Sequence, residues 1–176
     1  FTHAVSAFTA AVFVWAWLVV RERWSPGALA VLGALAAIMT MVREQDAFLA
    51  LGPGLDFAWS LRRRPAPRLL ASSLAFSGAF ALTFLPQAAA YLALNGRLGP
   101  SQLVSRKMSW TAPHALDVLL SPLNGYLCWT PLVLLAMAGW VMMLTWRRSR
   151  SGPDQHESRL RWLGLCVAAM ALSQIY

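Results

Sequence analysis

LLASSLAFSGAFALTFLPQAAAYLAL, residues 69–94, runs for 26 positions without a charged side chain. As an α-helix it would reach about 39 Å, more than the roughly 30 Å hydrocarbon core of a bilayer. This is the pattern of a membrane-spanning helix, and Pro86 and Gln87 in its later half predict a kink. Working outward, five more apolar runs share the character: residues 4–20, 27–42, 47–61, 126–146 and 162–176. The sequence therefore predicts an all-α fold, a polytopic transmembrane helix bundle of about six spans forming part of one transmembrane domain.

Composition supports this. Of 176 residues, 58% are apolar and 12% charged, and the mean hydropathy is +0.52. Average soluble chains carry roughly 25% charged residues. The net charge of +8 does not point to nucleic acid, because the arginines sit in short clusters at the ends of apolar runs, as topology signals do. Cys128 and Cys166 both fall within apolar runs, where cysteine behaves as a small hydrophobe. Neither a disulfide nor a metal site is expected from them. The chain opens at Phe1 and ends at Tyr176, each at or inside an apolar run. It reads as an internal piece of a longer protein, with no signal peptide expected.

The spans differ in detail. Residues 27–42 follow Ser25-Pro26, an N-cap and first-turn proline pair, and are rich in Gly and Ala, which favours close helix packing over lipid contact. Residues 47–61 carry Gly52-Pro53-Gly54 and Asp56. Fifteen residues of α-helix reach only about 22 Å, so this span must borrow from its flanks, tilt, or break at Pro53. Asp56 is expensive in a bilayer and is expected to be a satisfied structural carboxylate, with partners in the adjoining Gly-Pro-Gly backbone. Trp24, Trp59, Tyr91, Trp129, Trp146 and Trp162 stand near span ends, as interfacial anchors do.

Charge counting gives an orientation. If the spans alternate, one side holds Arg21, Arg23, Arg62, Arg63, Arg64, Arg68, Arg147, Arg148, Arg150, Arg159 and Arg161. The other holds Arg43, Arg97, Arg106 and Lys107, which completes the 15 cations. Eleven against four places the first side in the cytoplasm. The long polar interval 95–125 then faces outward, away from the cytoplasm. That outer face collects His3, Arg43, Glu44, Asp46, Arg106, Lys107, His114, Asp117 and Asn124. Arg43, Arg106 and Lys107 stand where a lipid phosphate would lie and could grip it with several donors. They could equally snorkel to head groups. Glu44 and Asp46 fit a helix-stopping tetrad with Arg43 better than a general base. His114 and Asp117, three apart, would share a face of a short surface helix, and one His with one Asp are too few ligands for a metal site.

Three stretches carry a resemblance. THAVSAFTAAVFVWAWL, MVREQDAFLAL and LLSPLNGYLCWTPLVLLAMAGW are similar, in this order along the chain, to elements of bacterial family-39-like, protein-mannosyltransferase-related glycosyltransferases of the GT-C superfamily. Thr2 replaces a Ser of the family pattern. The resemblance implies an inverting enzyme that moves a sugar from a polyprenyl-phosphate donor to an acceptor at the outer membrane face. It implies an Asp in a first outer loop as the base on the acceptor hydroxyl, which would lie upstream of Phe1. Arg43, with Gln45 and Asp46 beside it, falls in the family's matching turn at the donor phosphate. Ser121, Pro122, Gly125 and Trp129 match a site-shaping motif. The full expectation is donor phosphate on Arg43, Arg106 and Lys107, with Asp46, His114, Asp117 and Asn124 lining the acceptor side. No cofactor is assigned, a divalent metal is left open, and the partners are the lipid-linked sugar, membrane lipids and no nucleic acid. The rival reading is a polytopic transporter or flippase, favoured by Asp56 and the Gly-Pro-Gly stretch.

Overall fold

The computed structural model describes residues 2–61, 66–99, 131–145 and 155–175. Every regular element among them is helical: α1 (Thr2–Val20), α2 (Pro26–Val42), a 3-10 helix (Glu44–Ala50), α3 (Leu51–Ser60), α4 (Ala66–Asn95), α5 (Pro131–Thr145) and α6 (Gln155–Ile175). The chain forms two compact units, residues 1–110 and 111–176.

In the first unit α2 is the central element and packs against both α1 and α4. Its N-terminus is set by Ser25, whose Oγ accepts the Ala28 N–H at 3.3 Å, with Pro26 in the first turn. Its Gly- and Ala-rich sequence permits the packing: Gly33, Ala36 and Ala37 are buried, and a methyl group at Gly33 would stand 2.3 Å from the Phe76 carbonyl oxygen of α4. Only a residue without Cβ lets the two backbones approach this closely.

Three contacts fix the course of α4 beside α2. Near its start Ser72 Oγ donates to the Trp24 carbonyl at 3.0 Å. In the middle Phe76 meets Gly33. Near its end the Tyr91 hydroxyl donates to Glu44. The two helices therefore run parallel, and α1 returns antiparallel beside α2. A second set of contacts orients the segment from Glu44 to Ser60. Asp46 meets Ser6 near the start of α1, and Asp56 meets Trp17 and Arg21 near its end. This segment therefore runs in the same direction as α1.

That course resolves the length problem of residues 47–61. The segment does not break at Pro53, which sits in the first turn of α3, where the missing N–H is tolerated. It begins earlier, at Glu44, and its first seven residues are 3-10. Seven 3-10 residues rise about 14 Å where α geometry gives about 10.5 Å, so the segment reaches about 29 Å with α3. A single α-helix over 47–61 is not what forms; a stretched two-part helix is.

The turn between α1 and α2 also departs from expectation. Trp24, expected as an interfacial anchor, is 5% exposed. Its ring meets Phe57 of α3 edge-on, with centroids 5.3 Å apart. It holds φ +46, a left-handed conformation costing an L-residue about 1 kcal/mol, and caps α1 by donating its N–H to the Val20 carbonyl at 3.0 Å. At the far end of α4, Gly96 (φ +67) does the same with Leu92, as a helix-ending glycine should.

In the second unit α5 packs on α6. Trp140 Nε1 donates to the Gly164 carbonyl at 2.8 Å, and the Gly164 surface lies against Leu144. Cys166 is buried and not in a disulfide. The last helix begins at Gln155, seven residues before the expected span, because QHESRLR is rich in strong helix formers and extends the apolar run backward.

Two helical stretches, His3–Val20 and Leu69–Asn95, are long and apolar enough to cross a membrane. Two shorter apolar helices, Pro26–Val42 and Leu134–Thr145, are below that length.

Candidate functional site

The contacts along α1, α2 and α4 sort the first unit into two ends. One holds the α1–α2 turn, the end of α3 and the start of α4. The other holds the start of α1, the α2 to 3-10 junction and the end of α4. The second end gathers the described members of the expected site.

Arg43 makes the junction. It is extended, at φ −152 and ψ 116, and serves both helices: its N–H donates to the Met39 carbonyl at 3.1 Å, and its own carbonyl accepts from Asp46 at 2.9 Å. Glu44 and Asp46 then occupy the first turn of the 3-10 helix, where a negative charge complements the unpaired N–H groups. The four consecutive residues are pulled to different partners. Arg43 is exposed and its Nη2 donates to Gln45 Oε1 at 2.8 Å, leaving other guanidinium donors for an external anion. Glu44 accepts from Tyr91. Asp46 turns inward, 4% exposed, and accepts the Ser6 Oγ hydrogen bond at 2.5 Å. Asp46 thus fastens the 3-10 helix to α1, while Arg43 faces outward from the same turn.

Beside this junction lies an open groove of about 220 Å³, lined by Glu44, Phe84, Ala88, Tyr91, Leu98 and Gly99. Phe84 and Tyr91 meet edge-on, with centroids 6.4 Å apart. The turn that closes the groove's far rim is held by Asn95 Nδ2 donating to the Gly99 carbonyl at 3.0 Å.

At the opposite end Asp56 is fully engaged. Arg21 Nε donates to Oδ2 at 2.9 Å, Arg21 Nη2 to Oδ1 at 3.3 Å, and Trp17 Nε1 to Oδ2 at 3.0 Å. These partners are the side chains of Trp17 in α1 and of Arg21 just after it. Among the described residues no buried side-chain polar atom lacks a partner, and no group of three or more His, Cys, Asp or Glu could hold a metal.

Of the residues singled out from sequence, Arg43 and Asp46 share this junction, and His3 lies one turn before Ser6 on α1. Arg106, Lys107, His114, Asp117 and Asn124, with Ser121, Pro122, Gly125 and Trp129, lie outside the described residues. Sequence reading passed over Ser6 and took Tyr91 only as an anchor, yet these two tie the junction to α1 and α4. A signal for Ser6 existed: it shares a helix face with Phe13 and Trp17, both fully buried, and a polar residue on a buried face needs a partner. No family model, curated protein or solved structure matches the chain.

Proposed function

We propose that this chain is part of a multi-pass membrane glycosyltransferase of the GT-C type, moving a sugar from a polyprenyl-phosphate donor to an acceptor at the outer face of a bacterial inner membrane. The six apolar runs are its passes through the bilayer. Two properties of the first unit support the membrane reading. Only 11% of the apolar stretch of α4 and 28% of that of α1 are buried within the protein, leaving side chains such as Phe8, Trp15, Leu74 and Leu82 to be covered by something other than water. The stretched segment from Glu44 to Ser60 also reaches about 29 Å, the thickness of a hydrocarbon core, which lets the chain alternate sides as the arginine distribution requires.

The observation that carries the enzymatic reading is the position of Arg43. It is an exposed guanidinium at the end where α4 hands over to the polar interval containing Arg106 and Lys107. A lipid phosphate held there would be a leaving group stabilised by fixed cations. On this reading the proton-accepting Asp of the reaction lies outside the chain, and the residues here bind and orient the donor. The features that would favour a transporter have structural duties instead: Asp56 is paired with Arg21 and Trp17, and Gly52-Pro53-Gly54 is helical.

The test is transfer from a polyprenyl-phosphate sugar by the full-length protein. Arg43→Ala should lower kcat/KM roughly tenfold to a hundredfold, the range of one charge-assisted hydrogen-bond set. A wild-type rate in that variant would remove Arg43 from the donor site.

A further inference from the structure

In the sequence Arg43 has one carboxylate beside it and another three residues on, Glu44 and Asp46. Either is a natural mate for a guanidinium, and an arginine spent on such a pair has little charge left for an external anion. The fold sends both elsewhere. Glu44 accepts from the Tyr91 hydroxyl of α4, and Asp46 turns inward to the Ser6 hydroxyl at 2.5 Å. Among the described residues Arg43 makes no ion pair. What holds it is Gln45, a neutral amide whose Oε1 accepts from Nη2 at 2.8 Å. Arg43 caps the 3-10 helix and Gln45 is its second residue, so the acceptor stands on a rigid element. A long side chain ordered before its ligand arrives loses less freedom on binding.

We propose that Gln45 is the positioning residue of the donor site: it orients the Arg43 guanidinium toward the lipid phosphate without neutralising it. This rests on the reading above, in which Arg43 meets that phosphate. The required property is an acceptor without charge. A glutamate at position 45 would accept the same hydrogen bond more strongly, because the bond would then join two ions, but it would cancel the charge that the phosphate needs. The identity of residue 45 therefore separates two roles. A tie that only holds the turn together is served at least as well by Glu; presentation of a charged Arg43 is served by Gln and spoiled by Glu. The hydroxyls of Tyr91 and Ser6 complete the arrangement, since each occupies a carboxylate that would otherwise compete for Arg43.

The experiment measures binding of farnesyl phosphate to the full-length protein in detergent by native mass spectrometry, with farnesol as the uncharged counterpart. Arg43→Ala should weaken farnesyl phosphate binding about tenfold and leave farnesol unchanged. Gln45→Met, similar in length and with only a weak acceptor, should weaken it about threefold, and should have no further effect in an Arg43→Ala background, because it acts through Arg43. Gln45→Glu should weaken it about tenfold, more than Met does, although Glu keeps the hydrogen bond. Unchanged helicity by circular dichroism and an unchanged thermal midpoint keep a folding defect apart from a binding defect. Binding by Gln45→Glu equal to wild type, or a Gln45→Met loss of the same size with and without Arg43, overturns the proposal while leaving Arg43 in the donor site. Wild-type binding by Arg43→Ala removes the donor-site reading itself, and Gln45 falls with it.

Discussion

At the scale of single residues, two buried acidic side chains have different surroundings. Both Asp46 and Asp56 are buried, but Asp46 is met by a neutral hydroxyl and Asp56 by a guanidinium and an indole N–H. Removing one partner of a buried pair leaves the other charge uncompensated, at about 3–5 kcal/mol. Because the Arg21 side chain keeps 17% of its exposure, the lower end applies. Asp56→Ala should therefore destabilise the first unit by about 3 kcal/mol, and Arg21→Met together with Asp56→Leu should recover most of that loss. Denaturant titration in detergent measures both, and an Asp56→Ala midpoint equal to wild type would show that the pair contributes nothing. That Asp56 is satisfied was legible from the cost of a charge among apolar residues. Its partners were not, since Arg21 lies 35 positions away and sits next to Glu22, a nearer apparent mate.

At the scale of elements, the lesson lies in the segment from Glu44 to Ser60. Its apolar content marks it as buried or membrane-embedded, yet as one α-helix it is too short. The chain meets the shortage by winding seven residues more tightly, a long run for 3-10 geometry, whose hydrogen bonds are poorer. Anchors on α1 hold it: Ser6 at one end and Trp17 with Arg21 at the other. Such a device is invisible to composition, because 3-10 and α-helix share their residue preferences and the choice falls to distant contacts. The α2 and α4 pair shows the opposite case, where sequence spoke plainly. A Gly- and Ala-rich run announced close packing, and Gly33 against the Phe76 backbone delivers it. Gly33→Val should force α2 and α4 apart and cost about 1–3 kcal/mol, seen as a lower thermal midpoint. The same substitution at Gly78, which has open space around it, should cost less than 1 kcal/mol. Equal losses at both positions would show that helix propensity, not the contact, is responsible.

At the scale of the whole molecule, the prediction is sidedness. If the first unit spans a bilayer, single cysteines replacing Glu22 and Arg97 label from opposite sides with a membrane-impermeant maleimide, with position 22 reached only after the cytoplasmic face is opened. Labelling of both from one side would break the alternation on which the outer placement of the site depends. The all-helical class and the bounds of α1, α2 and α4 to within a few residues followed from the sequence alone, because long uncharged runs are local facts. The tertiary structure alone decided which turns share an end, that Asp46 points inward while Arg43 points out, that Tyr91 reaches Glu44, and that Trp24 is part of the core. Each of these depends on residues far apart in the chain finding one another, 35 positions for Arg21 and Asp56 and 48 for Trp24 and Ser72, and no periodicity within a helix encodes which neighbour it will meet.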